Sequence, residues 1–580
     1  CQNLCPAVGE SFDTTINKHN IKIVESLYSE PVPHRQFPPY TTTLQEHQLP
    51  GDICNTIRHA AKNKGTGINA DSIDIFTSLT KLNDPATNKN IHTLFNLIYQ
   101  GKIPPDARKF FTDTYLFCLH KDQNDLTKLR PIGIPTAIRR IIASHIAITF
   151  RDRFGDHLLP FNYAVGIDGG MDFIIKAMQL SIERHIIKPQ SSQQLPTRAA
   201  IFVDLTNMFN LVSREELFDI INRHFPELSP LTTLIYEHPA DVHFKWNTSS
   251  WKSISMQEGV NQGCPLSSTF AALVMNRVLQ PLDTALRQRA EQRLQQGDPG
   301  DDGFGGITHL FAWVDDISST VPHADIKFFL DTLHQLGKPR GCNINPQKSR
   351  ILTSCNGTSI LEQLHLSNPT LANDLKQSID TYSNTKSSRS SETLGVELTD
   401  GFRLLGTPVG SSTFAAKFFD EQLNSVRKQL STLTANITDL HTRLKLFNTC
   451  TLQKLPHLLG ADIMHNLPLD FDPKLWTGWN GPLTNGINSI INAFLLDLLS
   501  IDHIDTHSTL IAHLHTNKGG LGLLFPCHRA APDFVITTAT SIKRASQGFC
   551  SSIEVNPTIL HPSITNLFNF ELNPTSPTLQ

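Results

Sequence analysis

The sequence predicts a mixed α+β protein of two to four domains. Its 580 residues exceed what one compact core organises. Two short, apolar, β-rich runs, residues 199–204 (AAIFVD) and 309–317 (HLFAWVDDI), lie among segments of helical pattern. From about residue 413 to 458 the pattern stays helical with a basic bias, which predicts a helical domain rather than more sheet.

Composition narrows the function classes. Hydrophobic residues make up 39% and charged residues 18%, as in a folded protein rather than a disordered one. No apolar run approaches the roughly 18 residues of a membrane helix; the most apolar stretch of the C-terminal half, residues 490–499, is broken by Asn492 and Asp497. The formal charge is −3, so affinity for nucleic acid must come from local patches. The ten cysteines are scattered without a CxxC, which argues against a disulfide scaffold or zinc knuckle and for a reducing compartment. The chain opens at Cys1 rather than Met and is expected to be a piece of something longer.

Residues 1–50 include PVPHRQFPPYTTT and read as an extended arm. Residues 51–100 read as helices with polar breaks. Between residues 106 and 154 nine Lys or Arg face five Asp and no Glu, a basic patch or else a solvated face. Residues 199–204 predict a buried strand, 218–225 part of a helix and 270–279 another helix. Residues 285–308 look like an inserted helix and loop, and 371–395, rich in Ser, Thr and Asn, like a second insertion.

Acids stand at the ends of both predicted strands: Asp204 after IFV, and Asp315 with Asp316 after FAWV. Carboxylates on neighbouring strand ends can hold two divalent cations, and Mg²⁺ prefers such oxygens together with substrate phosphates. A DD pair also arises by chance, as Asp301–Asp302 shows, but charges beside an apolar strand are costly unless used. In NQGCPLSSTF, Gln262, Gly263 and Pro265 break the chain before a helix; the glycine admits close backbone approach, and Ser267 or Ser268 is placed to cap the helix.

The order LRPI, FVDLTNMF, NQGCPLSSTF, WVDD, NPQKS, RLLGTPVG resembles the reverse transcriptase family, and most closely the polymerases of non-LTR (LINE-like) retrotransposons, which share QGCPLS, a pattern like GCNINPQKS and a later GGLGL. The resemblance covers roughly residues 55–460 and is weaker to about 545. It implies a right-hand polymerase with fingers, an antiparallel palm sheet flanked by helices, and a helical thumb. The implied division is an N-terminal arm (1–50), N-terminal helices and fingers (51–155), palm with both insertions (156–410), thumb (411–465) and a C-terminal helical or connection region (466–580).

The resemblance also implies roles. Asp204 and Asp315 would be the principal ligands of two Mg²⁺ ions, for which Mn²⁺ could substitute, with Asp316 supporting and the Leu205 carbonyl completing one shell. Phe209, five residues after Asp204, would lie under the sugar of the incoming nucleotide and favour dNTPs; the plain alternative is a core Phe. Gln262 and Gly263 would lie under the nucleotide and template base. Lys121 and Arg130 would hold the triphosphate, with Arg able to bind phosphate oxygens bidentately. Lys348 would protonate the departing pyrophosphate. Leu405 and Gly406 would grip the primer, and Arg427, Lys428, Arg443 and Lys445 would follow the hybrid backbone, unless they simply form a solvated helix face.

Trp313 stands where the family usually has Tyr or Phe, Val314 is more typical of retroviral enzymes, and the stretch between Gln262 and Asp315 is longer than usual. No nuclease is read: Pro532–Asp533 lacks a second Asp at suitable spacing. His503, His507, His513, His515, Cys527 and His528 form no zinc set of known spacing. The expected partners are an RNA template, a DNA primer and dNTPs, without a membrane, and family inference favours the nucleus over the cytoplasm. An inactive RNA-binding remnant and a group II intron maturase-like protein remain open alternatives.

Overall fold

A computed structural model describes residues 21–28, 47–60, 72–120, 129–187, 198–245, 251–298, 308–345, 348–352, 397–399, 401–466 and 481–524, with a few isolated positions besides. Its strands are β1 (Thr114–His120), β2 (Leu129–Pro135), β3 (Arg198–Val203), β4 (Ala240–Lys245), β5 (Trp251–Met256), β6 (His309–Trp313), β7 (Asp316–Pro322), β8 (Arg350–Leu352), β9 (Glu397–Thr399), β10 (Gly401–Leu404) and β11 (Thr407–Gly410). They form a five-stranded sheet of order β6-β7-β3-β8-β9, a four-stranded sheet of order β2-β1-β4-β5, and the hairpin β10-β11.

The five-stranded sheet is antiparallel except that β8 and β9 run parallel. Its central strand β3 is buried at every position. Because side chains alternate across a strand, Ala199, Ile201 and Val203 enter the main core, while Ala200 and Phe202 pack on the other face with Ile174, Met178 and Val409. Burial on both faces explains why AAIFV is continuously apolar. The main core also takes Phe270, Leu273 and Leu279 from the helix Ser267–Gln295, Phe329 and Leu333 from the helix Ile326–Gly337, and Phe95 and Ile142 from the helices Pro85–Tyr99 and Ala137–Thr149.

The helix over Ser267–Gln295 runs without interruption through the start of the expected first insertion. The second, 371–395, falls almost wholly outside the described residues. Instead of one run of strand, residues 309–317 make β6, a two-residue turn at Val314–Asp315, and the start of β7. Of the expected basic patch, Lys121 and Lys128 lie outside the described residues and five of the other cations are buried or paired. Arg139 is buried, and Arg108 pairs with Glu237 (3.0 Å), Lys109 with Asp241 (3.5 Å), Arg151 with Asp168 and Arg153 with Glu227.

Beyond the hairpin, the helices Ser412–Asn436, Leu440–Leu446, Leu459–Asn466 and Pro482–Leu499 enclose a second core. Phe447 stacks on Phe494 at 3.9 Å, and Leu423 and Ile487 belong to the same cluster. Buried Asp462 accepts from the Thr484 N–H (3.0 Å) and hydroxyl (2.8 Å), fixing the start of the helix Pro482–Leu499 with a negative charge where its dipole is positive. Residues on both sides of the expected boundary at 465 thus share one core.

Candidate active site

Strand pairing brings the three acids together. Val203 on β3 opposes Ile317 on β7, so Asp204 and Asp316 are the next residues outward on paired strands. Asp315 lies in the tight turn between Trp313 and Asp316, which are themselves paired. Burial, then Asp315 and Asp204, push Asp316 up to about 7 against the opposing pull of Lys348. Asp315 is also raised, first by burial and further by Asp204, with Lys348 and Arg130 acting the other way.

Asp204 has the closest cationic partner. Lys348 Nζ donates to its Oδ1 at 3.1 Å and its Oδ2 at 3.2 Å. Asn345, which the sequence reading missed although it lies within NINPQKS, donates its Nδ2 to Asp204 Oδ2 (2.9 Å) and its N–H to the Asp204 carbonyl (2.8 Å). Leu205 is buried and pairs as an isolated bridge with Ile344. Asn345, Lys348 and Ser349, whose hydroxyl accepts from the Asp204 N–H (3.3 Å), therefore brace the first acid.

A cavity of about 330 Å³ opens beside this set, lined among others by Asp204, Asp316, Lys348, Arg350, Phe402 and Leu405. Phe402 stacks on Phe202 with centroids 4.3 Å apart, seating the β10-β11 hairpin on the palm. The hairpin turns through Leu405 (φ 49°) and Gly406 (φ 91°). Gly406 serves that turn: among the described residues a Cβ there would meet only His457 Nε2, at 3.8 Å.

The loop before Ser267–Gln295 is held from two sides. The Val260 N–H donates to the Phe209 carbonyl (2.6 Å) and the Gly259 N–H to that of Val212 (3.0 Å). Buried Arg214 donates to the carbonyls of Gly259 (3.0 Å), Tyr236 (3.1 Å) and Met256 (3.2 Å). The half-buried ring of Phe209 packs against the main core. Ser267 does not cap the helix; its hydroxyl donates to the Asn261 carbonyl (2.6 Å) and tightens the Gln262–Gly263 turn instead.

Arg130 stands exposed on β2 and acts on Asp315, whereas Lys121 lies outside the described residues. Trp313 is half-buried against the second palm core. Arg443 departs from expectation: it donates to the Ile437 carbonyl (2.9 Å) and to Asp497 (2.8 Å), with its side chain only 11% exposed. Its guanidinium is thus occupied between two helices of the chain's own C-terminal region, although Asp497 itself is about half exposed, while Arg427, Lys428 and Lys445 stand exposed.

Three crowded carboxylates, two of them raised by burial and mutual repulsion, are a set of hard oxygen donors suited to divalent cations. A second cluster lies elsewhere: ligand atoms of Asp113, Asp241 and His243 come within 4.8 Å of one another. Its groups satisfy each other, with Asp113 accepting from the Asp241 N–H (3.1 Å) and His243 Nε2 (3.0 Å). Among the described residues the C-terminal histidines form no metal cluster; Cys527, His528, Pro532 and Asp533 lie outside them.

The five-stranded sheet with acids on adjacent strand ends, the four-stranded sheet carrying Arg130 and the helical C-terminal lobe make up a right-hand polymerase fold. Residues 119–398, just under half of the chain, match the family model described as reverse transcriptase (RNA-dependent DNA polymerase). No curated protein sequence matches the chain. Among solved structures, it is similar to a telomerase from Candida albicans in complex with a TWJ fragment of telomeric RNA, at TM-score 0.38 and 9% identity over 80% of this chain and 65% of that one. It is also similar to an apo telomerase from Candida tropicalis truncated from its C-terminal domain, at TM-score 0.29 and 14% identity over 46% of this chain and 56% of that one. The chain thus spans less than two thirds of the length of either. Among the described residues no helix is long and apolar enough to cross a membrane.

Proposed function

We propose that the protein is the RNA-directed DNA polymerase of a non-LTR-type retroelement, adding dNTPs to a DNA primer 3′ end on an RNA template. The observation that carries this reading is the convergence of Asp204, Asp315 and Asp316 beside a cavity bounded by the Leu405–Gly406 hairpin. Asp204 and Asp315 would hold two Mg²⁺ ions, or Mn²⁺ in their place, with Asp316 supporting. When bound, such ions stabilise the attacking and leaving oxygens of an in-line phosphoryl transfer.

The chain's own residues supply the rest. Phe209 excludes a 2′-hydroxyl, and Gln262 and Gly263 support the nucleotide and template base. Arg130 pairs with triphosphate oxygens. Lys348, within 3.2 Å of both Asp204 oxygens, is a proton donor held at the acids and delivers its proton to the departing pyrophosphate. The hairpin at Leu405 and Gly406 positions the primer end with Trp313 beside it. Arg427, Lys428 and Lys445 follow the hybrid backbone by charge. A nuclear location accords with this reading.

The test is primer extension on an RNA template with Mg²⁺, comparing dNTPs with rNTPs and wild type with Asp315→Asn. Extension with dNTPs, falling by more than about 100-fold in the variant, is expected, since even an outer-shell partner of a metal costs 10–100-fold. Equal extension by a folded Asp315→Asn protein overturns the site, and none by the folded wild type overturns the activity.

A further inference from the structure

The turn carrying Asp315 is strained. Val314 adopts φ 57°, and it is a β-branched residue. A two-residue hairpin link with positive φ at its first position normally takes Gly, and an L side chain there is strained. Such a conformation persists only where its surroundings over-determine it.

Asn162 supplies that constraint. It is fully buried. Its Nδ2 donates to the Val314 carbonyl (3.2 Å), and its Oδ1 accepts from the Val314 N–H (3.4 Å) and the Ala164 N–H (3.2 Å). One side-chain amide therefore reads both backbone polar groups of the strained residue. Asn162 is itself fixed against β6. The Ala312 N–H donates to the Phe161 carbonyl (2.7 Å), the Tyr163 N–H donates to the Ala312 carbonyl (3.0 Å), and Asn162 bridges Ala312 in parallel.

We infer that Asn162 is a positioning residue: its amide clamps both backbone groups of Val314 and so aims the Asp315–Asp316 pair at the divalent cations and the primer end. This deepens the proposed polymerase reading and rests on it. Asn fits the task because it carries a donor and an acceptor on one short planar group. Asp lacks the donor, and Ala lacks both. The acids themselves make no part of the clamp, so its loss loosens their aim without removing a ligand.

The experiment compares wild type, Asn162→Ala, Val314→Gly and the double variant Asn162→Ala/Val314→Gly. Two readouts are used: the rise in melting temperature on titration with Mn²⁺, and kcat and KM for dNTP. The clamp predicts that Asn162→Ala raises the half-saturating Mn²⁺ about 10–100-fold, in the range for lost outer-shell support, and lowers kcat similarly with KM changed less than about threefold. It also predicts that Val314→Gly restores at least half of that loss on a logarithmic scale in the double variant, because Gly holds positive φ without help. Unchanged Mn²⁺ titration in a folded Asn162→Ala protein overturns the clamp, as does a double variant no better than Asn162→Ala. Should Asn162→Ala fail to fold, the double variant decides: folded and metal-responsive supports the clamp, and unfolded assigns Asn162 to stability alone. A wild type that binds Mn²⁺ but does not polymerise fails the activity and leaves the clamp to the titration. A wild type with no Mn²⁺ response overturns both.

Discussion

Gly263 lies against Gly133 so closely that a Cβ added to Gly263 would stand 2.1 Å from the Gly133 carbonyl oxygen. A Cβ on Gly133 would in turn meet Asn261 Oδ1 at 2.2 Å. The backbone of β2, which carries Arg130, thus packs directly on the Gln262–Gly263 turn. Gly263→Ala is expected to push the two apart. Primer extension should fall at least about tenfold, since small misplacements at a site are amplified in rate. A dNTP titration reads it, and Gly133→Ala should produce the same defect.

Phe209 is tied through its carbonyl to the Val260 N–H (2.6 Å), so its backbone is fixed while its ring packs on the main core. Phe209→Ala should relax sugar selection. The ratio of dNTP to rNTP incorporation is expected to drop by about 10–200-fold, the range for a group removed from an apolar pocket. Competitive single-nucleotide extension measures it.

Arg214 satisfies the carbonyls of Gly259, Tyr236 and Met256 from a buried position. Arg214→Met keeps the volume and leaves those acceptors unmet. A loss of roughly 3 kcal/mol or more is expected from chemical denaturation, because each stranded buried polar group costs about 1–3 kcal/mol.

Lys176 predicts a pH effect. Burial pushes it down to about 7, with Asp172 opposing, and its Nζ donates to the Phe534 carbonyl (3.4 Å). A lowered lysine pKa means the fold favours the neutral amine. Stability from this group is therefore complete above its ordinary pKa of about 10.4 and is lost as pH falls toward 7. Lys176→Met, which cannot charge, should have a higher melting temperature than wild type near pH 7, and the gap should narrow by about pH 9.5. Parallel melting curves at the two pH values check the sign.

Much of the site was legible because its chemistry lies next to its own strand. FVD and WVDD announce acids at the ends of apolar runs, and NPQKS and RLLGTPVG stand beside them in order. Other supports carry no local signal. Asn162 acts on Val314 from 152 residues away, and Gly133 meets Gly263 only because β2 folds onto the turn. Charge counts misled where side chains turn inward. Arg139 is buried and Arg443 is spent on Asp497, so neither adds to a basic surface. Ser267 read as a cap, yet its hydroxyl found a nearer carbonyl.

By itself the sequence determined which groups are available: three acids on two apolar strands, an aromatic after the first, a Gln-Gly turn before a long helix. Residue type and short-range periodicity are properties of the local chain, so they survive without the fold. The tertiary structure alone decided which of those groups meet. Pairing of β3 with β7 sets Asp204 beside Asp316, and Asn345 and Lys348, 141 and 144 residues on, both reach Asp204. The physical reason is that such contacts depend on strand register and on the burial of both sheet faces, which are set by packing across the whole chain.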